Sequence, residues 1–106
     1  MKNKTTNFYD KCYEQLKLIP KGKVTTYKEI AKSLNTKAYR AVGSAMAKNK
    51  QPIVIPCHRV VKSNGEIGEF VLGVEKKIEL LRKEGISITN KKVDDFKECL
   101  HTFNDN

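Results

Sequence analysis

Apolar side chains recur every three or four residues in five stretches of this chain, which is the spacing of an amphipathic helix. The first stretch starts at Phe8 and ends before Pro20, because proline and the nearby Gly22 stop a helix. Cys12 falls on its apolar stripe, so we expect this cysteine in the core. The pattern predicts helices over residues 8–19, 27–34, 38–49, 74–84 and 93–100.

The second and third predicted helices are short and are joined by a few residues, as in a helix-turn-helix motif. A hydroxyl in the run Val24-Thr25-Thr26 is placed to cap the start of the second helix. The third helix is dominated by small residues, and Gly43 costs it about 1 kcal/mol relative to alanine. Such a slim helix either packs tightly against the second helix or enters a nucleic-acid groove, with Arg40 as its long cation.

The remaining pattern predicts short extended segments and turns. Three aliphatic residues bracketed by Pro52 and Pro56 predict a short buried extended segment. Asn64-Gly65 lies between residues 60–62 and 66–67, which predicts a β-hairpin, and residues 69–72 form a loop. A hairpin after a helix-turn-helix would be a wing. The predicted fold is mainly α, a winged-helix-like helix-turn-helix domain with a short β-hairpin.

Length and charge narrow the class of protein. A chain of 106 residues fits one domain, which we place over 1–106 with a core at about 8–85 and an extension at 86–106. The net charge is +9, and residues 1–50 contain twelve Lys or Arg against three acidic residues, whereas residues 51–106 contain nine of each. A positive charge concentrated in one half of the chain is typical of a domain that binds a polyanion. Such a charge can also act only to keep a protein soluble.

The sequence also bears on the compartment. Neither an apolar run long enough to span a membrane nor the apolar core of a signal peptide is found, so we expect a cytoplasmic protein. The three cysteines are Cys12, Cys57 and Cys99, an odd number without a C-x-x-C pair. This spacing argues against a disulfide framework and against structural zinc.

The run Cys57-His58-Arg59 follows Pro56 directly and places a thiol beside an imidazole and a guanidinium. A thiolate is the reactive form of cysteine, and nearby cations or imidazoles favour it. A cysteine after an apolar run is more often a core residue. Adjacent residues of an extended chain also point to opposite faces, so a turn or a bridging water would have to connect Cys57 with His58.

Two further polar residues bear on this site. Glu84 lies in the last turn of its predicted helix, where the helix dipole disfavours a negative charge. It therefore points to water or is held by a hydrogen-bond partner. His101 has no partner that the sequence identifies, and we predict a surface histidine.

Four ordered blocks of the sequence resemble the active-site and DNA-binding domain of the alkylguanine-DNA alkyltransferases. They are the run Pro20-Lys21-Gly22-Lys23-Val24-Thr25-Thr26-Tyr27, then Arg40-Ala41-Val42-Gly43, Asn49, and Ile55-Pro56-Cys57-His58-Arg59-Val60. The resemblance covers about residues 8–85. It implies a C-terminal domain of this family, without the auxiliary N-terminal domain that is common in relatives.

The resemblance also implies roles for single residues. Cys57 would take an alkyl group from O6 of guanine and keep it, so that each molecule acts once. His58, bridged to Cys57 by water and oriented by Glu84, would be the base, and Asn49 would hold the turn that carries the cysteine. Arg40 would replace the extruded nucleotide in the base stack. The remaining DNA contacts would come from Thr26, Tyr27, Ala41 and Ser44.

The implied substrate is double-stranded DNA with an alkylated guanine, bound by a monomer without metal or cofactor. The implied pocket is formed by Met46, Val60, Phe70, Val71 and Leu72. The family usually has a tyrosine, a serine and two glycines where this chain has Phe70-Val71-Leu72-Gly73. Phe70 cannot donate a hydrogen bond to O6, and Leu72 would narrow the pocket. We therefore expect methyl groups to transfer and benzyl groups to transfer poorly.

Two other classes of function compete with repair. The first is a non-catalytic winged-helix protein that senses alkylated bases or regulates transcription, although the related sensors lack the cysteine that is present here. The second is a Cys-His hydrolase or redox sensor unrelated to DNA. It explains the thiol but neither the one-sided charge nor Arg40.

Overall fold

The computed structural model describes residues 7–103. The elements follow the chain in the order α1 (Phe8–Leu16), β1 (Thr25–Thr26), α2 (Tyr27–Ser33), α3 (Tyr39–Ala47), a 3-10 turn (Cys57–Arg59), β2 (Val60–Val61), α4 (Val74–Lys83), β3 (Ile88–Thr89), β4 (Lys92–Val93) and α5 (Phe96–Cys99). None of the helices in residues 7–103 has the length and apolar character needed to cross a membrane.

The first three helices form where the apolar spacing predicts them. Asn7 caps α1 by accepting a hydrogen bond from the backbone N–H of Asp10, and Thr26 caps α2 by accepting one from Glu29. Both α1 and α2 pack against α3. The Tyr13 hydroxyl donates to the carbonyl of Ala45 at 2.7 Å, which joins α1 to α3.

The predicted hairpin over residues 60–67 forms only next to its turn. The N–H of Gly65 donates to the carbonyl of Lys62 at 2.9 Å, and the N–H of Lys62 donates across the arms to the carbonyl of Glu66 at 2.9 Å. Strand β2, however, pairs in parallel with β1, Thr25 opposite Val60. Because both valines of β2 are fully buried, this strand needs a partner inside the domain rather than an exposed arm. The arm after the turn instead reaches Lys91, whose carbonyl accepts from Ile67 at 2.9 Å.

The C-terminal region also differs from its prediction. Strands β3 and β4 pair antiparallel, Ile88 opposite Val93, and form a hairpin that was not predicted. The predicted helix over 93–100 is reduced to the single turn α5. His101 is half-buried rather than a free surface residue, and its ring meets Phe103 edge-on with centroids 4.9 Å apart.

The segment between the two prolines is not a buried strand. Ile55 is buried, but Val54 is 77% exposed and Ile53 has a φ of 78°. The N–H of Ile55 donates to the carbonyl of Gln51 at 2.9 Å, which closes a turn instead of continuing a strand. Prolines at both ends leave few backbone donors for a sheet partner.

Two clusters of buried side chains form the core. The first lies among α1, α2, α3 and the turn at Cys57, and it includes Cys12, which is fully buried as predicted. The second lies among β2, α4 and the C-terminal hairpin. The Cys57 turn packs against both α1 and α4, so it is held from two sides.

Candidate active site

A cavity of about 590 Å³ opens beside the small-residue helix α3. Its walls come from α2, α3, the Cys57 turn and the loop before α4. The lining residues are Tyr27, Arg40, Gly43, Ser44, Met46, Ala47, Cys57, Lys62, Glu69, Phe70 and Val71. Six of the residues predicted from the resemblance to contact DNA or form the pocket are among them.

Cys57 begins the 3-10 turn directly after Pro56, and its side chain reaches the cavity although the residue is only 3% exposed. Asn49 supports it from behind. The Asn49 amide donates to the carbonyl of Ile55 at 2.9 Å and to Sγ of Cys57 at 3.2 Å. Its Oδ1 accepts from the N–H of Gln51 at 2.9 Å. One buried side chain therefore fixes both ends of the loop that leads to the thiol.

The environment of Cys57 keeps its sulfur protonated. Burial raises the pKa of the thiol, and the hydrogen bond from Asn49 and the charge of Lys77 offset that effect only in part. The net pKa lies above the ordinary value, whereas the neighbours in the sequence favoured a lowered one. Formation of the thiolate therefore requires a group that accepts the proton.

His58 is the group placed to do so. It is 1% exposed, and its Nε2 lies 2.9 Å from Oε2 of Glu84. Burial lowers the pKa of His58, although the hydrogen bond to Glu84 acts in the opposite direction. The imidazole is thus neutral at pH 7, with Nε2–H donating to the carboxylate. Nδ1 is then an unprotonated acceptor, and it has no hydrogen-bond partner in the described part of the chain.

Glu84 caps the C-terminal end of α4 and binds Arg59 as well as His58. Nε of Arg59 donates to Oε1 at 2.9 Å, and Nη2 donates to Oε2 at 2.7 Å. Nη1 of Arg59 donates to the carbonyl of Ile19 at 2.8 Å. Burial acts to raise the pKa of Glu84, but the bonds from Arg59 and His58 outweigh it and lower the pKa below its ordinary value. Glu84 is therefore held at the end of its helix by hydrogen bonds from two side chains, His58 and Arg59.

The predicted pocket residues are placed unequally. Phe70 lines the cavity and meets the His58 ring edge-on, with centroids 6.3 Å apart. Met46 and Val71 line it too, and Val71 is 45% exposed at the rim. The Val60 side chain is buried in the core, and Leu72 is 48% exposed outside the lining. Leu72 therefore gives no support to a narrowed pocket.

The predicted DNA contacts divide in the same way. Tyr27, Arg40 and Ser44 face the cavity, and Arg40 is exposed. Ala41 is half-buried outside the lining, whereas the Thr26 side chain is buried and caps α2. The surface of α3 that faces the cavity therefore consists of Arg40 and small residues near it in the helix.

Two features of the site were not predicted. Arg59 stands in the run Cys57-His58-Arg59 that the sequence singled out, but its bonds to Ile19 and Glu84 were not predicted, because those partners are distant along the chain. Lys77 is fully buried, and its ammonium donates to the carbonyl of Glu69 at 3.0 Å. It lies on the apolar stripe of α4 between Val74 and Leu81, where an apolar residue is expected. A charged residue on that stripe is the sequence feature from which a buried lysine could have been predicted.

Within residues 7–103, no three His, Cys, Asp or Glu side chains converge to hold a metal ion. The donors around the cavity are instead a thiol, hydroxyls, amide groups and cations. They suit binding of a polar ligand and reaction at sulfur.

Comparison with known proteins is consistent across sequence and structure. The family model described as 6-O-methylguanine DNA methyltransferase, DNA binding domain, matches residues 7–86. The methylated-DNA–protein-cysteine methyltransferase of Candida glabrata is 46% identical over 88 residues, covering 82% of this chain and 42% of that protein. The chain spans about a third to a half of the length of the curated relatives it matches.

Solved structures of related proteins are also similar to this chain, and two of them illustrate the match. O6-methylguanine-DNA methyltransferase from the archaeon Pyrococcus kodakaraensis KOD1 has a TM-score of 0.70 at 51% identity, covering 76% of this chain and 47% of that one. S. pombe Atl1, in complex with damaged DNA containing O6-carboxymethylguanine, has a TM-score of 0.78 at 32% identity. That match covers 90% of this chain and 94% of Atl1.

Proposed function

Because this chain belongs to the 6-O-methylguanine DNA methyltransferase family, we propose that it repairs DNA by moving an alkyl group from O6 of guanine to Cys57. The observation that carries the proposal is the position of Sγ on the cavity wall, held by Asn49 and adjacent to the His58–Glu84 pair. A neutral imidazole, one of whose nitrogens has no hydrogen-bond partner among residues 7–103, is the base that a protonated thiol requires.

The proposed reaction begins with proton transfer. A water between Cys57 and His58 carries the thiol proton to Nδ1, and Glu84 stabilises the imidazolium that forms. The thiolate then attacks the alkyl carbon, so that an S–C bond forms while the C–O6 bond breaks. The electron pair of that bond stays with guanine, which takes up one proton. The product thioether is a poor leaving group at neutral pH, so each molecule reacts once and needs no cofactor.

The DNA must present its guanine outside the helix for this attack. A paired base hides its reacting atom, and extrusion costs a few kcal/mol, less for a damaged and poorly paired base. We propose that Arg40 fills the gap in the stack and that Tyr27 presses on the neighbouring phosphate. Contacts from Ala41 and Ser44 position α3 in the minor groove, and Thr26, whose side chain is buried as the cap of α2, contacts the DNA through its backbone. The excess positive charge of residues 1–50 favours the approach to double-stranded DNA.

The flipped guanine would occupy the cavity between α3 and the loop before α4. Met46, Phe70 and Val71 supply its apolar walls. The carbonyl of Val60 and backbone groups near Val71 would read the edge of the base. We propose that the protein acts as a monomer, as the C-terminal domain of its family, on nucleoid-associated DNA in the cytoplasm.

A damage sensor without chemistry is the second candidate function. It is favoured by the match to S. pombe Atl1, which extends over nearly the whole of both chains. A sensor needs the cavity and helix α3 with Arg40, but it has no use for a base beside the sulfur. The His58–Glu84 pair next to Cys57 therefore favours repair.

One experiment separates the two candidates. The protein is mixed with duplex DNA that contains O6-methylguanine, and its intact mass is recorded over time beside that of Cys57→Ala. Repair predicts a gain of one methyl group, never more than one per chain, in the protein with Cys57 only. The cysteine variants Cys12→Ala and Cys99→Ser serve as matched controls and should still gain it. Tight binding without any change in mass would assign the protein to the sensors.

A further inference from the structure

We propose that Lys77 is a positioning residue that supports the ionised form of Cys57 by fixing a positive charge at the buried edge of the cavity. This inference deepens the proposed function, because it concerns the sulfur that the proposed reaction uses. It starts from an anomaly of α4, whose middle carries a lysine that is 0% exposed. A lysine is almost never fully buried unless an opposite charge accompanies it.

No carboxylate within residues 7–103 forms an ion pair with Lys77, although the charge of Glu69 acts on it from a greater distance. Among the described residues no acidic side chain lies within ion-pair distance of its ammonium, and the one hydrogen bond of Nζ goes to the carbonyl of Glu69. An ammonium has three donors, so two are left for other groups. Burial lowers the pKa of Lys77 to about 8, which still leaves the side chain charged at pH 7. A buried cation of this kind stabilises any anion that forms beside it.

The surroundings of Nζ point to Cys57 as that anion. A Cβ atom placed on Gly68 would lie 3.8 Å from Nζ of Lys77 and 3.5 Å from the Tyr27 hydroxyl, so both groups approach Gly68. The ammonium also bonds the carbonyl of Glu69, and Tyr27 and Glu69 line the same cavity as Cys57. Helix α4 also packs directly against the turn that carries the thiol.

None of the other ionisable groups described around the cavity supplies a buried positive charge like that of Lys77. The ionisable side chains that face Cys57 or its cavity are Tyr13 of α1, Tyr27 of α2, Arg40 of α3, His58 of the turn, Lys62, Glu69 and Lys77 of α4. Arg40, Lys62 and Glu69 are exposed, so water screens their charges. Tyr13 and Tyr27 are neutral at pH 7, and burial keeps His58 neutral as well. Lys77 alone in this set is both fully buried and positive.

The alternative is that Lys77 only ties the loop before α4 to the helix through the Glu69 carbonyl. That role predicts a loss of stability on substitution but no change in the ionisation of the thiol. The two roles are separated by a reagent that reports on the thiolate and needs no DNA, so the outcome does not depend on whether methyl transfer occurs.

The test is the rate of Cys57 alkylation by iodoacetamide as a function of pH, followed by peptide mass in the whole protein. Lys77→Met should react about tenfold more slowly than the unmodified chain at pH 7. The difference should shrink above pH 8, where Lys77 itself loses its proton. Lys76→Met removes the same charge from the preceding, partly exposed position of α4 and should react at the unmodified rate.

A reciprocal measurement avoids substituting the buried lysine. If an anion at position 57 and the ammonium stabilise each other, a carboxylate placed there must raise the pKa of Lys77 by the same coupling. Nuclear magnetic resonance of the Lys77 side chain should therefore show a higher pKa in Cys57→Asp than in the uncharged variant Cys57→Asn. Equal alkylation rates for folded Lys77→Met at all pH values, or the same Lys77 pKa in Cys57→Asp and Cys57→Asn, would overturn the proposal.

Discussion

Glu84 joins three parts of the molecule at a single carboxylate. It caps the end of α4 and accepts a hydrogen bond from the buried imidazole of His58. It also accepts hydrogen bonds from Nε and Nη2 of Arg59. Arg59 in turn reaches the carbonyl of Ile19 after α1. The carboxylate therefore orients the proposed base and also fixes the Cys57 turn against two helices.

This arrangement predicts an acid-dependent loss of stability in Glu84→Gln. The pKa of Glu84 is lowered in the folded protein, so its ionised form stabilises the fold above the ordinary carboxyl range, and that stabilisation is lost as pH falls through the folded pKa. Loss of the charged hydrogen bonds should cost about 2 kcal/mol at pH 7. Urea unfolding at pH 7 and at about pH 3 should show the difference between the two proteins shrinking in acid.

Glu79→Gln is the matched control, because Glu79 lies on the exposed face of α4 with only long pairs to Lys76 and Lys83. It should change stability by less than about 0.5 kcal/mol at either pH. A Glu84→Gln deficit that stays constant from neutral to acid pH would contradict the role given to the ionised carboxylate.

Single residues could be predicted only where the local sequence carried the reason. The position of Glu84 at a helix end demanded a partner, and Cys57 with its neighbour His58 formed a recognisable pair. Arg59 bonds the carboxylate of Glu84 at the end of α4, and Lys77 bonds the carbonyl of Glu69 in a loop. The spacing of apolar residues in the sequence does not indicate which of these groups meet in the fold. The raised pKa of Cys57 also depends on burial, which local neighbours do not determine.

At the scale of elements, α2 shows how a cap determines the position of a functional residue. The Thr26 hydroxyl accepts from the N–H of Glu29 at 3.0 Å, and Tyr27 begins the helix at the next position. Thr26 also pairs with Val61 in the parallel ladder that adjoins the Cys57 turn. The cap therefore fixes Tyr27 relative to the cavity.

Thr26→Ala should lower the free energy of unfolding by about 1 kcal/mol, because one orphan N–H at the start of α2 loses its acceptor. Thr26→Ser keeps the hydroxyl and should recover most of that loss. Thermal unfolding of the three proteins measures the effect. A Thr26→Ala protein as stable as the unmodified chain would show that the hydroxyl does not serve as a cap.

The elements differ in how far the sequence determines them. Helical spacing identified α1, α2, α3 and α4, since each depends on contacts along one face. Asn64-Gly65 correctly indicated a turn, but a turn does not specify which strand its arms join. The arms of this turn share the hydrogen bond from Lys62 to the carbonyl of Glu66, but beyond it they pair with β1 and with Lys91, which are distant in sequence. Strand partners were therefore the part of the fold that local chemistry left open.

At the scale of the whole molecule, residues 87–103 lie beyond the family match, which ends at residue 86. They nevertheless complete the second core cluster, where Ile88 and Val93 are buried and Phe96 packs against them. The N–H of Val24 donates to the Cys99 carbonyl at 2.9 Å, so the tail also continues the edge beside β1. We propose on these contacts that the extension belongs to the same single domain as the active site.

Truncation after Ile86 tests this proposal and should abolish cooperative folding. Each buried aliphatic or aromatic side chain contributes about 1.5–3 kcal/mol, so the loss of Ile88, Val93 and Phe96 removes several kcal/mol from a total of about 5–15. Truncation after Phe103 keeps all of these contacts and is the matched control. Circular dichroism during thermal unfolding should show a sharp transition for the control and none for the shorter chain. If residues 1–86 instead unfold at the same temperature as the full chain, the extension is an appendage, and the domain ends where the family match ends.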